Sequence, residues 1–199
     1  MSEGLIQWAV AFQGLEEESG DLHVVHPFEG GVLVGAIDGL GHGPEAASAA
    51  KTAADTLERH AGEPVVSLIE RCHESLRGTR GAVITVASVS SGGMMSWTGV
   101  GNIEGTLVRS EPYDGRTRES VLLVGGVPGH QLPPLRASEH PIRPGDTLVF
   151  STDGVRVGYL DLLEDYDEPR KVAGQIFEGF GKGTDDALVL VARYVGMES

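Results

Sequence analysis

The amino-acid sequence predicts an α+β fold in which two β-sheets pack face to face. About nine apolar runs, most bounded by Gly, Pro or Asp, are spread along its 199 residues, and runs of that kind read as strands buried in a sandwich. Nine strands are too many for one flat sheet in a small domain. Glycine contributes 29 residues, about twice ordinary usage, which calls for many tight turns. The order of elements is strands, two helices, a longer block of strands, one helix and a last strand. It lacks the βαβ alternation of a doubly wound or barrel fold.

The strand candidates are 5–12, 22–25, 32–37, 82–89, 94–100, 106–109, 121–124, 147–150 and 187–194. The first helix starts at Pro44, where the missing N–H is harmless. Ala46, Ala50, Ala53 and Leu57 share one face, and Gly62 stops it. The second starts near Pro64, carries Val65, Ile69, Cys72 and Leu76 as one stripe, and ends at Gly78. So short a connection makes the two antiparallel neighbours. A third helix is expected from about 168 to 179, with Val172 and Ile176 inward.

Composition bounds the function. Hydrophobic residues are 40% and charged residues 22%, an ordinary globular balance, and the length suits one domain spanning 1–199. The net charge of −14 repels phosphate backbones and anionic bilayers, so neither nucleic acid nor membrane is an expected partner. Cys72 is the single cysteine, which excludes an internal disulfide and a cysteine-rich zinc site and fits a reducing, cytoplasmic setting. No apolar run approaches a membrane span, and no signal peptide is visible at the N-terminus. The acidic stretches 16–18 and 161–168 read as solvated surface.

Aspartates recur at the ends of the apolar runs. Ser19-Gly20-Asp21 precedes the second strand, and Asp38-Gly39 ends the third. Asp153-Gly154 follows the run 147–150, and Asp185-Asp186 opens the last strand. Asp-Gly alone is a hairpin signal. After Asp38, however, come Gly39-Leu40-Gly41-His42-Gly43 and a helix, not a partner strand. Four carboxylates at the edges of apolar slabs suit a hard cation held by oxygen ligands. Other patterns carry less. Gly99–Gly105 is off register for a dinucleotide fingerprint, no nucleophile elbow occurs, and Cys72 lies on an apolar stripe as a core residue. The histidines at 23, 26, 60, 130 and 140 lack ligand spacing.

Taken together, Ser19-Gly20-Asp21, Asp38-Gly39-Leu40-Gly41-His42-Gly43, Ser151-Thr152-Asp153-Gly154-Val155 and Asp185-Asp186-Ala187-Leu188 resemble the metal-dependent serine/threonine protein phosphatases. The likeness covers roughly residues 5–195 and is greatest to the bacterial SpoIIE-type branch. Ser67-Leu68-Ile69-Glu70-Arg71-Cys72 and Arg80-Gly81-Ala82 bring it nearer to the feedback phosphatases of stressosomes. The resemblance implies a four-layer αββα sandwich, two antiparallel sheets flanked by helices. It implies two Mn²⁺ or Mg²⁺ ions, with Asp38 bridging both, the Gly39 carbonyl on one, and Asp153 and Asp185 on the other. Asp21 would contribute directly or through water. A water bridging the ions would attack a phosphoserine or phosphothreonine. The implied substrate is a phosphorylated STAS-domain protein of a stressosome or partner switch, met by a monomeric enzyme.

The sequence also departs from the family. Asp186 stands where many relatives carry Asn. His42 is either a general acid for the leaving oxygen or a structural member of the glycine loop, and the sequence leaves both open. No basic residue is assigned to phosphate. The 31 residues between Asp153 and Asp185 leave little room for an elaborate flap. Two rival readings are an inactive relative that only binds a phosphoprotein, and an all-β binding module whose Asp-Gly pairs are turns.

Overall fold

The computed structural model describes residues 4–14, 18–164 and 168–196. One sheet places β1 (Ile6–Gln13), β11 (Ala187–Tyr194), β10 (Thr147–Ser151), β6 (Glu104–Tyr113) and β7 (Arg116–Ser120) side by side. The other places β2 (Asp21–Phe28), β3 (Gly31–Gly39), β4 (Ala82–Ser90), β5 (Met94–Val100) and β8 (Leu123–Val124) in order, with β9 (Ser138–Pro141) also on β5. Every named ladder is antiparallel except β5 with β8. Helices α1 (Pro44–Arg59) and α2 (Val65–Ser75) cover the second sheet, and α3 (Pro169–Phe180) covers the first. The layers run helix, sheet, sheet, helix, as the expected αββα sandwich requires.

The strand sequences explain this layering. Val32, Val34 and Ala36 of β3 face the first sheet, in a core with Trp97, Phe150 and Leu190. Leu33 and Ile37 of the same strand face Ala49, Ala53 and Leu57 of α1. On β11, Leu188 and Leu190 point between the sheets, while Val189 and Val191 meet Val172 and Ile176 of α3. Each central strand is thus buried on both faces, which is why it reads as a continuous apolar run and not an alternation. The expected stripes on α1 and α2 are all buried, and Cys72 lies within that core, where burial pushes its thiol up to about 12.

Three elements were not anticipated: β7, β9 and a 3₁₀ segment, Tyr159–Glu164. The candidate strand 121–124 shrinks to Leu123–Val124. Of the acidic stretches, residues 16–17 and 165–167 lie outside the described residues. No helix among the described residues is long and apolar enough to cross a membrane.

Strand direction then gathers the chemistry. The start of β2, the ends of β3 and β10, the start of β11 and the β5–β6 turn all lie at one end of the sandwich.

Candidate metal centre

Asp21 and Asp38 are direct cross-strand partners in the β2–β3 ladder. Like charges in that relation repel. Asp21 is 4% exposed and Asp38 is half-buried, while Asp153 and Asp185 stand exposed above them. Burial, with the charges of Asp186, Asp153 and Asp185 added, pushes the Asp21 carboxyl up to about 7 against the pull of a Thr152 hydrogen bond. Burial, then the charges of Asp21, Asp153, Asp185 and Asp186, pushes Asp38 up to about 8. Hydrogen bonds from Thr152 to Asp21 and from Gly20 to Asp186 join the two sheets at this end. Among the described residues no salt bridge reaches Asp21, Asp38, Asp153 or Asp185.

The loops fit together through absent side chains. A Cβ on Gly39 would collide with the Ala46 carbonyl of α1, so glycine there lets the helix close on the end of β3. A Cβ on Gly154 would collide with the Asp186 carbonyl, so glycine there lets the Asp153 loop lie against the start of β11. The Gly39 N–H donates to Gly20 O at 2.9 Å and the Leu40 N–H to Gly81 O at 3.0 Å. The Gly39 carbonyl itself sits beside Gly20.

Asp186 has a visible task. Its Oδ2 accepts the Ser19 hydroxyl at 2.9 Å and the Gly20 N–H at 2.8 Å, so the last strand holds the segment that carries Asp21. His42 is exposed on the loop between Gly41 and Gly43.

The structure adds neighbours that sequence reasoning missed. Asn102 of the β5–β6 turn donates from Nδ2 to Asp153 Oδ2 at 2.9 Å. Its only signal was a Gly-Asn dipeptide at a strand end. Two cations border the cluster. Lys182 Nζ donates to the Asp153 carbonyl. The Arg80 guanidinium packs over Gly41, and its Nε donates to Glu45 Oε2 at 2.5 Å. Both come near the site only through the fold. A groove of about 800 Å³ lies elsewhere, on α1 and α2 between Arg59, His60, Glu63 and His73, and none of the aspartates lines it.

The donor set fits Mn²⁺ or Mg²⁺. It is all oxygen, which suits hard cations, and it is a crowd of carboxylates that a cation would relieve. Among the described residues no three acidic, His or Cys side chains form a cage for one ion. Mg²⁺ does not require one, because it keeps several waters and takes one or two carboxylates.

Two packed sheets flanked by helices are the fold of the PP2C-like phosphatases. The family profile of stage II sporulation protein E (SpoIIE) matches residues 29–195. The chain belongs to the SpoIIE family of PP2C-like protein serine/threonine phosphatases. Solved structures resemble it closely. One, from work on the bacterial stressosome as a modular system adapted to control secondary messenger signaling, is 31% identical with a TM-score of 0.86, over 94% of this chain and 99% of that one. RsbX in complex with magnesium is 20% identical with a TM-score of 0.85, over 98% of both chains. The Mycobacterium tuberculosis phosphatase PstP is 16% identical with a TM-score of 0.75, over 96% of this chain and 99% of that one. Comparison with curated protein sequences returned no match.

Proposed function

We propose that the chain hydrolyses phosphoserine or phosphothreonine on a folded protein, using two Mn²⁺ or Mg²⁺ ions. Asp21, Asp38, Asp153, Asp185 and the Gly39 carbonyl hold the ions, and Asp38 and Asp153 are the carboxylates on which turnover depends. The observation that carries this reading is the meeting of carboxylates from both sheets at one end of the sandwich, with Asp21 directly opposite Asp38. When bound, the ions lower the pKa of water and neutralise charge on the phosphoryl oxygens.

The chain's own residues do the rest. Asp38 and Asp21 present oxygens from the sandwich floor, and Asp153 and Asp185 present theirs from the rim. Asn102 fixes the Asp153 carboxylate, and Lys182 fixes the Asp153 backbone. His42, exposed on the glycine loop, delivers a proton to the departing serine or threonine oxygen.

The proposed substrate is a phosphorylated STAS-domain protein of a stressosome or similar switch. The similarity to a chain studied in the stressosome and to RsbX supports that choice. We place the enzyme in the cytoplasm as a monomer, with residues 1–199 acting as one catalytic domain. Hydrolysis of an aryl phosphate with and without Mn²⁺ tests the reading. Turnover that appears only with the metal is expected. Metal binding without turnover would instead make the chain an inactive phosphoprotein binder.

A further inference from the structure

We propose that Thr152 is a positioning residue of the metal centre, its hydroxyl proton committed to Asp21 across the gap between the two sheets. The proposal rests on Asp21 being a metal ligand.

Thr152 follows β10 of the first sheet and is 1% exposed. Asp21 opens β2 of the second sheet. Thr152 Oγ1 and Asp21 Oδ2 are 2.6 Å apart. A hydroxyl has one proton to give and lone pairs to receive with. The Leu188 N–H donates to Thr152 Oγ1 at 2.9 Å, so that contact occupies a lone pair. The hydroxyl proton is left for Asp21, and the direction of the bond is fixed. The Thr152 N–H in turn donates to Leu188 O at 3.1 Å. Backbone and side chain of Thr152 are therefore both tied to β11, and β-branching stiffens χ1.

On the other side, Asp186 holds Ser19 and Gly20. The two contacts fix Asp21 in place from the opposite sheet: Asp186 sets where its backbone starts, and Thr152 sets how its carboxylate turns. With Oδ2 engaged by Thr152, Oδ1 is the oxygen presented to an ion, and among the described residues it accepts no hydrogen bond. Partners that orient a ligand in this way affect metal affinity about 10–100-fold.

A purely structural hydroxyl would pin the sheets together without affecting the metal. Ser151 supplies the comparison. It is 2% exposed, bonds Tyr159 Oη at 2.8 Å, and among the described residues its hydroxyl forms no hydrogen bond with the aspartates. The test is calorimetric titration of Mn²⁺ into the metal-stripped full chain, with melting temperatures measured alongside. Thr152→Val should weaken Mn²⁺ about 10–100-fold. Thr152→Ser, which keeps the proton, should stay within about threefold of wild type. Ser151→Ala should lower the melting temperature with Mn²⁺ affinity unchanged. If Thr152→Val fails to fold, Thr152→Cys replaces it, and its poorer donor should still weaken Mn²⁺ several-fold. Wild-type affinity in a folded Thr152→Val or Thr152→Cys protein would overturn the proposal, as would a loss in Ser151→Ala equal to that in Thr152→Val. Wild-type protein that binds no Mn²⁺ would instead overturn the reading of the metal centre itself.

Discussion

Asp38 concentrates the physics of the centre in one side chain. It is half-buried and opposite another carboxylate, and its pKa is pushed up to about 8. Asp38→Asn and Asp153→Asn should each lower turnover by several orders of magnitude with the fold intact. Retention of more than about a tenth, a gap under about 1.4 kcal/mol, would show that the residue does not hold the metal. The metal-free protein should respond oppositely. With Asp38 near 8 and Asp21 near 7 when folded, and both near 3.8 when unfolded, the native state binds more protons than the unfolded state between about pH 4 and pH 8. Stability from these groups therefore falls as pH rises through that window. Asp38→Asn should raise the metal-free melting temperature by several degrees at pH 8.5 and little at pH 4, read by thermal melts in EDTA. At His42 the measurement is a comparison of leaving groups. A general acid makes His42→Ala cost about 10²–10⁴-fold on an alkyl or serine phosphate and little on an aryl phosphate. Equal losses on both would make it a loop residue. The aspartates were legible because a carboxylate at the edge of an apolar run is a local signal, Asp38-Gly39 and Asp153-Gly154 after one and Asp21 and Asp185 before one. Asn102, Arg80 and Lys182 were not, because each reaches the site through a contact distant in sequence.

At the scale of elements, the central strands were legible because both of their faces are buried. The edges were not. β7 reads Arg-Thr-Arg-Glu-Ser and β9 reads Ser-Glu-His-Pro, polar segments whose strand state is set by a neighbour's ladder. What β7 and its neighbours secure is a buried ion network at the end of the sandwich away from the aspartates. Arg109, with a side chain 1% exposed, meets Glu119 of β7 and Asp146 just before β10. It also donates to the Pro141 carbonyl of β9 at 2.6 Å, so one guanidinium ties strands of both sheets. Removing it takes the guanidinium from two buried carboxylates, leaving Glu119 with His140 and Asp146 with the Ser110 and Arg143 donors, a loss of about 3–5 kcal/mol. Arg109→Ala should lower the melting temperature by roughly 6 °C or more. Mn²⁺ affinity of the folded fraction should be unchanged, since the network is remote from the centre. An equal loss of metal affinity would show that the two ends of the sandwich are coupled.

For the whole molecule, the net charge of −14 acts on every encounter. It disfavours free nucleotides and acidic peptides and slows acidic partners, so discrimination has to come from docking a folded surface. On the proposed substrate, kcat/KM should be much higher for an intact phosphorylated STAS-domain protein than for a phosphopeptide cut from it. Similar values would describe a broad-specificity phosphatase. The four-layer order was read from strand count and from family resemblance together, and strand direction alone brings the start of β2, the end of β3 and the Asp153 and Asp185 loops to one end. The central claim is that this convergence is a metal-dependent phosphatase centre. It is tested most directly by stripping the protein with EDTA, confirming that it is metal-free, and following phosphate release as Mn²⁺ is returned. No release in the stripped protein, with recovery along the Mn²⁺ binding curve, is the expected result. Full activity in the verified metal-free protein would contradict it.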